Sequence, residues 1–148
     1  MGRGCVRLAA SIARVRVGGI HHLGVAVESL DEAIATYGRL FGATVEHRDA
    51  LEEQGVVAVS LLVGGSRVEL LEPTGEDTPV GRFLARRGPG MHHVALASPD
   101  LEVTLRELAA AGAELIDQHP RRGLFGSEVA FVHPGALHGV LTEVVSSG

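Results

Sequence analysis

Gly90-Met91-His92-His93-Val94-Ala95-Leu96-Ala97 restates Ile20-His21-His22-Leu23-Gly24-Val25-Ala26-Val27. Each stretch enters an apolar strand through a His-His pair. Each half of the chain also closes on an apolar strand that carries a glutamate: Val68-Glu69-Leu70-Leu71 in the first, Leu141-Thr142-Glu143-Val144 in the second. Self-similarity of this kind constrains the architecture before any single residue is weighed. It also pairs two imidazoles with two carboxylates, which is a donor set for a metal ion.

Working outward, the apolar pattern predicts the same element order twice. Residues 20–27 read as a strand. Ser29, with Glu32 three residues on, reads as a capping box. The helix it opens runs to about Leu40, with Leu30, Ile34, Tyr37 and Phe41 on one stripe, and Gly42 stops it. Residues 44–48, 56–63 and 67–72 read as strands, the last two joined by a Gly64-Gly65-Ser66 turn. After a connector, 74–90, with a short helix over 79–86, the pattern restarts. Residues 91–97 are a strand and 100–111 a helix. Residues 113–117, 127–133 and 139–145 are strands, and 119–126 a loop. The fold class is α+β: two βαβββ repeats, 20–73 and 91–145, forming cupped mixed sheets around one metal site in a domain spanning 20–145. Such repeats share a core. Approximate two-fold symmetry would gather His22, Glu69, His93 and Glu143 on the concave side. Alternation along a strand would turn His21 and His92 the other way.

Composition narrows the class. The chain has 148 residues, 45% of them hydrophobic, enough for one packed domain. No apolar run approaches the roughly 20 residues of a membrane span. A net charge of -5 argues against a nucleic-acid partner, which selects a basic face. A single cysteine, Cys5, excludes a disulfide framework and a thiolate metal cluster. Residues 1–19 carry Arg3, Arg7, Arg14 and Arg16 and no acidic residue. They read as a disordered tail, with an organelle transit peptide as the alternative. The expected setting is the cytoplasm, or an organelle matrix in the second case.

Taken together, six stretches resemble the vicinal oxygen chelate superfamily, the group of glyoxalase I, ring-cleaving dioxygenases and antibiotic-resistance proteins. They are His22-Leu23-Gly24-Val25-Ala26-Val27, Glu53-Gln54-Gly55-Val56, Val68-Glu69-Leu70-Leu71-Glu72-Pro73, Gly90-Met91-His92-His93-Val94-Ala95, Phe131-Val132-His133-Pro134 and Gly139-Val140-Leu141-Thr142-Glu143. Within the superfamily the chain most resembles the methylmalonyl-CoA epimerases. The resemblance implies the vicinal oxygen chelate fold and one divalent ion (cobalt, manganese or zinc) held by His22, Glu69, His93 and Glu143. It also implies an acyl-CoA substrate, inversion of its α-carbon through an enolate, a catalytic role for Glu143, and a homodimer. One branch of the family has a second catalytic Glu where this chain has Ala58, and Gln where it has Glu69. Glu69 or water would then carry the second proton, or the activity would be a different one.

Other readings compete. A glyoxalase-I-like lyase acting on a glutathione hemithioacetal would use the same four ligand types. A non-catalytic ligand-binding member would keep the fold and lose the ligands. For Glu69, pairing with Arg67 is the plain alternative to metal, since a buried carboxylate without a partner is costly. Glu72 reads as a solvated strand end, and Glu52 and Glu53 as a charged loop. His133 reads as structural, and His138 as standing away from the substrate. Arg121-Arg122-Gly123 reads as loop surface charge, with attraction of a phosphate-bearing arm as the sharper alternative.

Overall fold

The computed structural model describes residues 14–147. Helix α1, Leu30–Phe41, starts where the Ser29 side chain accepts the Glu32 backbone N–H and ends at Gly42, which takes the left-handed conformation (φ 65°). Leu30, Ile34 and Tyr37 pack against Val59, Leu61 and Leu70. Phe41 departs from the expected stripe and lies exposed in the last turn. Glu72 is not simply solvated. Its Oε1 accepts the Leu30 N–H at 3.1 Å and tethers the start of α1 to the sheet. Helix α2 is Pro79–Arg87, and helix α3 is Leu101–Ala110. Leu101 and Leu105 of α3 pack against Ala130, Val132 and Val144.

Among the described residues, eight strands form one continuous sheet: β1 Ile20–Ala26, β2 Thr44–Leu51, β3 Val56–Val63, β4 Ser66–Pro73, β5 Gly90–Ser98, β6 Arg121–Arg122, β7 Glu128–Val132 and β8 Thr142–Ser146. The spatial order is β2-β3-β4-β1-β5-β8-β7-β6. Each half therefore folds as a four-stranded unit whose first strand pairs in parallel with its last, β1 with β4 and β5 with β8. The halves join through the antiparallel pair β1–β5. The two cupped sheets expected from the repeats are thus two halves of one curled sheet.

Two segments differ from the pattern. Residues 113–117 make only an isolated bridge, Leu115 to Val132. The N–H groups of Ile116 and Asp117 both reach the Phe131 carbonyl, so the ladder cannot continue there. Conversely, the loop expected over 119–126 contains the short strand β6. At the start of the chain, residues 14–19 have no regular structure, yet Gly18 and Gly19 already hydrogen-bond to Ala97. The rest of the tail reading, with Cys5, lies outside the described residues. Among the described residues no helix is long and apolar enough to cross a membrane.

Candidate metal centre and active site

Backbone register places the four candidate donors on two rungs across the central strands. One rung runs Glu69 (β4), Gly24 (β1), His93 (β5); the other runs His22 (β1), Ala95 (β5), Glu143 (β8). Exchanging the halves exchanges the rungs. The residue between the donors is small in both cases, and for Gly24 the reason is direct. A Cβ there would overlap the His93 imidazole, so glycine makes room for the ring.

All four donors are buried. His22 Nε2 lies 3.1 Å from His93 Nε2, 3.3 Å from Glu69 Oε2 and 3.6 Å from Glu143 Oε1. His93 Nε2 lies 4.0 Å from Glu143 Oε2. His22, Glu69 and His93 each offer one ligand atom within 4.8 Å of the others. Donor atoms bound at ~2.1 Å to a common ion stand ~3.0 Å apart at a right angle and ~3.4 Å apart at the tetrahedral angle. The closest observed spacings have that scale. The donor chemistry, two imidazoles with two carboxylates and no thiolate, suits a divalent ion of borderline-to-hard character. The residues present therefore fit a metal.

Electrostatics point the same way. Burial, with positive charge from His21 and Arg67, lowers the His22 pKa to about 4. Burial lowers His93 well below its usual value, so both rings are neutral and can donate lone pairs. Burial raises Glu69 to about 7. Burial and the neighbouring Glu69 charge raise Glu143 to about 8. Arg67 is not the partner of Glu69. It makes a two-pronged contact with Glu46, Nε to Oε2 at 2.7 Å and Nη2 to Oε1 at 2.8 Å. Glu46 sits at a register break between β2 and β3, and such breaks re-aim side chains.

His21 and His92 do not turn away as simple alternation requires. The β1–β5 register shifts between Ile20 and His22, and again opposite His92, so each is the extra residue of an irregularity. Each ring stays beside its neighbour: His21 Nδ1 is 2.8 Å from His22 Nδ1, and His92 Nδ1 is 3.1 Å from His93 Nδ1.

His22 faces a small pocket that Glu69 and Glu143 share. Adjoining that pocket, Glu69, His93 and Glu143 line a cavity of about 760 Å³ beside α2 and β5. Val80, Phe83, Leu141 and Phe131 give it an apolar wall, while Arg82, Arg86, Arg87 and Arg121 stand along it. Glu53 also lines it, so part of the acidic loop reaches the site, whereas His133 and His138 are not among the lining residues. Ala58 is fully buried among Leu51, Val56, Leu71 and Val80 and offers no proton carrier. In sequence Arg121 reads as loop charge or as an attractor of a phosphate-bearing arm, and nothing there marks Phe131 or Phe83 for the site. Gly24 does carry a signal, since a glycine inside a strand marks close approach of another group.

A curled sheet of two βαβββ units, with a His/Glu donor set across their junction, defines the class of paired-repeat metal-site proteins. The chain belongs to the glyoxalase/bleomycin resistance protein/dioxygenase superfamily, whose family model matches residues 21–131. It is 32% identical over 134 residues to the mitochondrial methylmalonyl-CoA epimerase of Dictyostelium discoideum, covering 90% of this chain and 81% of that one. A variant of Streptomyces coelicolor methylmalonyl-CoA epimerase, solved in complex with 2-nitronate-propionyl-CoA, superposes with a TM-score of 0.85 at 38% identity, covering 90% of this chain and 99% of that one. The methylmalonyl-CoA epimerase of Mycobacterium tuberculosis gives 0.87 at 34% identity, with 92% of each chain covered.

Proposed function

We propose that this chain is a metal-dependent epimerase that inverts the α-carbon of methylmalonyl-CoA. The observation that carries the reading is the buried His22, Glu69, His93 and Glu143 cluster, whose Glu69, His93 and Glu143 face a cavity with an apolar wall and guanidinium groups along it. These four residues would hold one divalent ion: cobalt, manganese or zinc. A bound ion would supply Lewis-acid stabilisation for the negative charge of the enolate.

The chain's own groups supply the proton traffic. Inversion needs a proton taken from one face of the α-carbon and returned to the other. Glu69 and Glu143 come from opposite halves and flank His22 Nε2 at 3.3 and 3.6 Å. In the metal-free site burial raises both above the ordinary carboxylate range, so each can carry a proton before an ion arrives. A carboxylate has two oxygens, so one can hold the ion while the other exchanges a proton. Glu143 removes the α-proton and passes it to solvent, and the proton for the opposite face comes from solvent through Glu69, in place of a side chain at position 58. Val80, Phe83 and Leu141 exclude water from the acyl arm. Arg82, Arg86 and Arg87, on the exposed side of α2, offer positive charge to the phosphates of the coenzyme arm. A homodimeric assembly and a cytoplasmic setting belong to the same proposal.

The test is inversion itself. The metal-loaded protein is incubated with methylmalonyl-CoA of one configuration, and in parallel with the glutathione hemithioacetal of methylglyoxal. Inversion of the thioester without turnover of the adduct is the expected result. Turnover of the adduct alone would replace this reading with the lyase.

A further inference from the structure

We infer that Arg121 binds the free carboxylate of the acyl group and so selects 2-carboxyacyl thioesters over simple ones. The inference rests on the epimerase reading of the cavity and adds a specificity residue to it. The sheet register carries it. Arg121 on β6 is opposite Val129, and Phe131 lies two residues further along β7 on the same face. Phe131 in turn is opposite Glu143, and Glu143 is opposite Ala95, two residues from His93. Arg121, Phe131, Glu143 and His93 therefore share one face of the sheet, and all four line the cavity.

Side-chain contacts fix the guanidinium there. It lies over the Phe131 ring, 5.2 Å from the centroid, and its Nε is 3.2 Å from Asp117 Oδ2. That same oxygen accepts the Phe131 backbone N–H at 2.8 Å. A stacked, ion-paired arginine is pre-oriented, and its planar fork matches a carboxylate. The Arg121 side chain is 42% exposed, so it is accessible from the cavity. Beside the buried carboxyl groups, a cation also offsets the repulsion that an incoming carboxylate would meet.

The experiment measures binding of malonyl-CoA and acetyl-CoA, which differ by one carboxylate, to the metal-loaded protein and to Arg121→Gln. The expected result is a loss of about 10- to 100-fold for malonyl-CoA, the scale of a hydrogen bond to a charged group. Acetyl-CoA affinity and metal content stay unchanged, and Arg121→Lys falls between. Equal losses for both ligands, or none for malonyl-CoA, would overturn the assignment. Because the readout is a ratio within one variant, partial loss of fold does not imitate it. Failure of the epimerase reading shows separately, as absence of inversion in the unsubstituted protein.

A second inference has its own geometry. The structure assigns His21 and His92 as positioning residues for His22 and His93. In both repeats the extra residue of a strand irregularity brings its Nδ1 to the Nδ1 of the donor next to it. A histidine that uses Nε2 as a ligand carries its proton on Nδ1 and donates it to a fixed acceptor. The neighbouring ring accepts through its own Nδ1 and keeps its proton on Nε2. Titration of Co(II) against a chelator reads affinity, and the Co(II) absorption spectrum reads ligand geometry. His21→Ala and His92→Ala are each expected to weaken binding about 10- to 100-fold and shift the spectrum. Gln at either position, which keeps a side-chain acceptor, should recover part of the loss. Unchanged affinity and spectrum in both folded Ala variants would overturn the role.

Discussion

Metal binding to the free protein should expel protons, and the number should depend steeply on pH. His22 and His93 are already neutral near pH 7 because burial lowers both, so they release none. The carboxyls are different: Glu69 titrates at about 7 and Glu143 at about 8. At pH 6 both are almost fully protonated, and a divalent ion that takes both carboxylates must displace about two protons. At pH 8 the same arithmetic leaves roughly half a proton to displace. The apparent affinity should therefore tighten about 50-fold from pH 6 to pH 7 and more gently beyond pH 8. The pair titrates as a unit, so the total carries the prediction rather than either residue's share. Stability follows the same linkage. These acids have folded-state values above the ordinary 4.5, so their contribution is complete below that value. It is lost progressively as pH rises from about 4.5 through 7 to 8, and the metal-free protein should weaken over that window while the metal-loaded protein does not. Calorimetric titration in buffers of different ionisation enthalpy counts the protons. Release of no protons at pH 6 would mean that the carboxyls are already ionised before the ion arrives, against this expectation.

Two substitutions test the site's construction. His93→Ala should abolish stoichiometric metal binding and activity together, checked by metal analysis of the purified protein; retained metal would remove His93 from the donor set. Gly24→Ala places a methyl group where the His93 ring lies, so metal affinity should fall at least about 10-fold in a protein that still folds. Normal affinity there would mean that the ring can shift without cost.

Legibility in the sequence followed the range over which each feature is encoded. The repeat made the strand order and the four donors readable, because each donor recurs at an equivalent place in both halves. The side-chain partners of the donors were not readable. Arg67 and Glu69 are two apart on one strand, which makes Arg67 the plain alternative to metal, but the irregularity at Glu46 on β2 takes Arg67 away. His21 and His92 were assigned to the far face by alternation, which an irregularity at each position defeats. Arg121 looked like loop charge because β6 is only two residues long and has no period of its own. Its place comes from pairing with β7. Glu72 looked solvated because its partner, the Leu30 N–H, lies 42 residues away.

If this site labilises the α-proton of methylmalonyl-CoA, isotope exchange reveals it. The metal-loaded protein is mixed with one configuration of the thioester in deuterated water, and deuterium at the α-carbon is followed with chirality. Metal-dependent incorporation together with inversion is expected, both lost in Glu143→Gln. A protein that holds its metal yet gives neither exchange nor inversion would contradict the proposed epimerase activity.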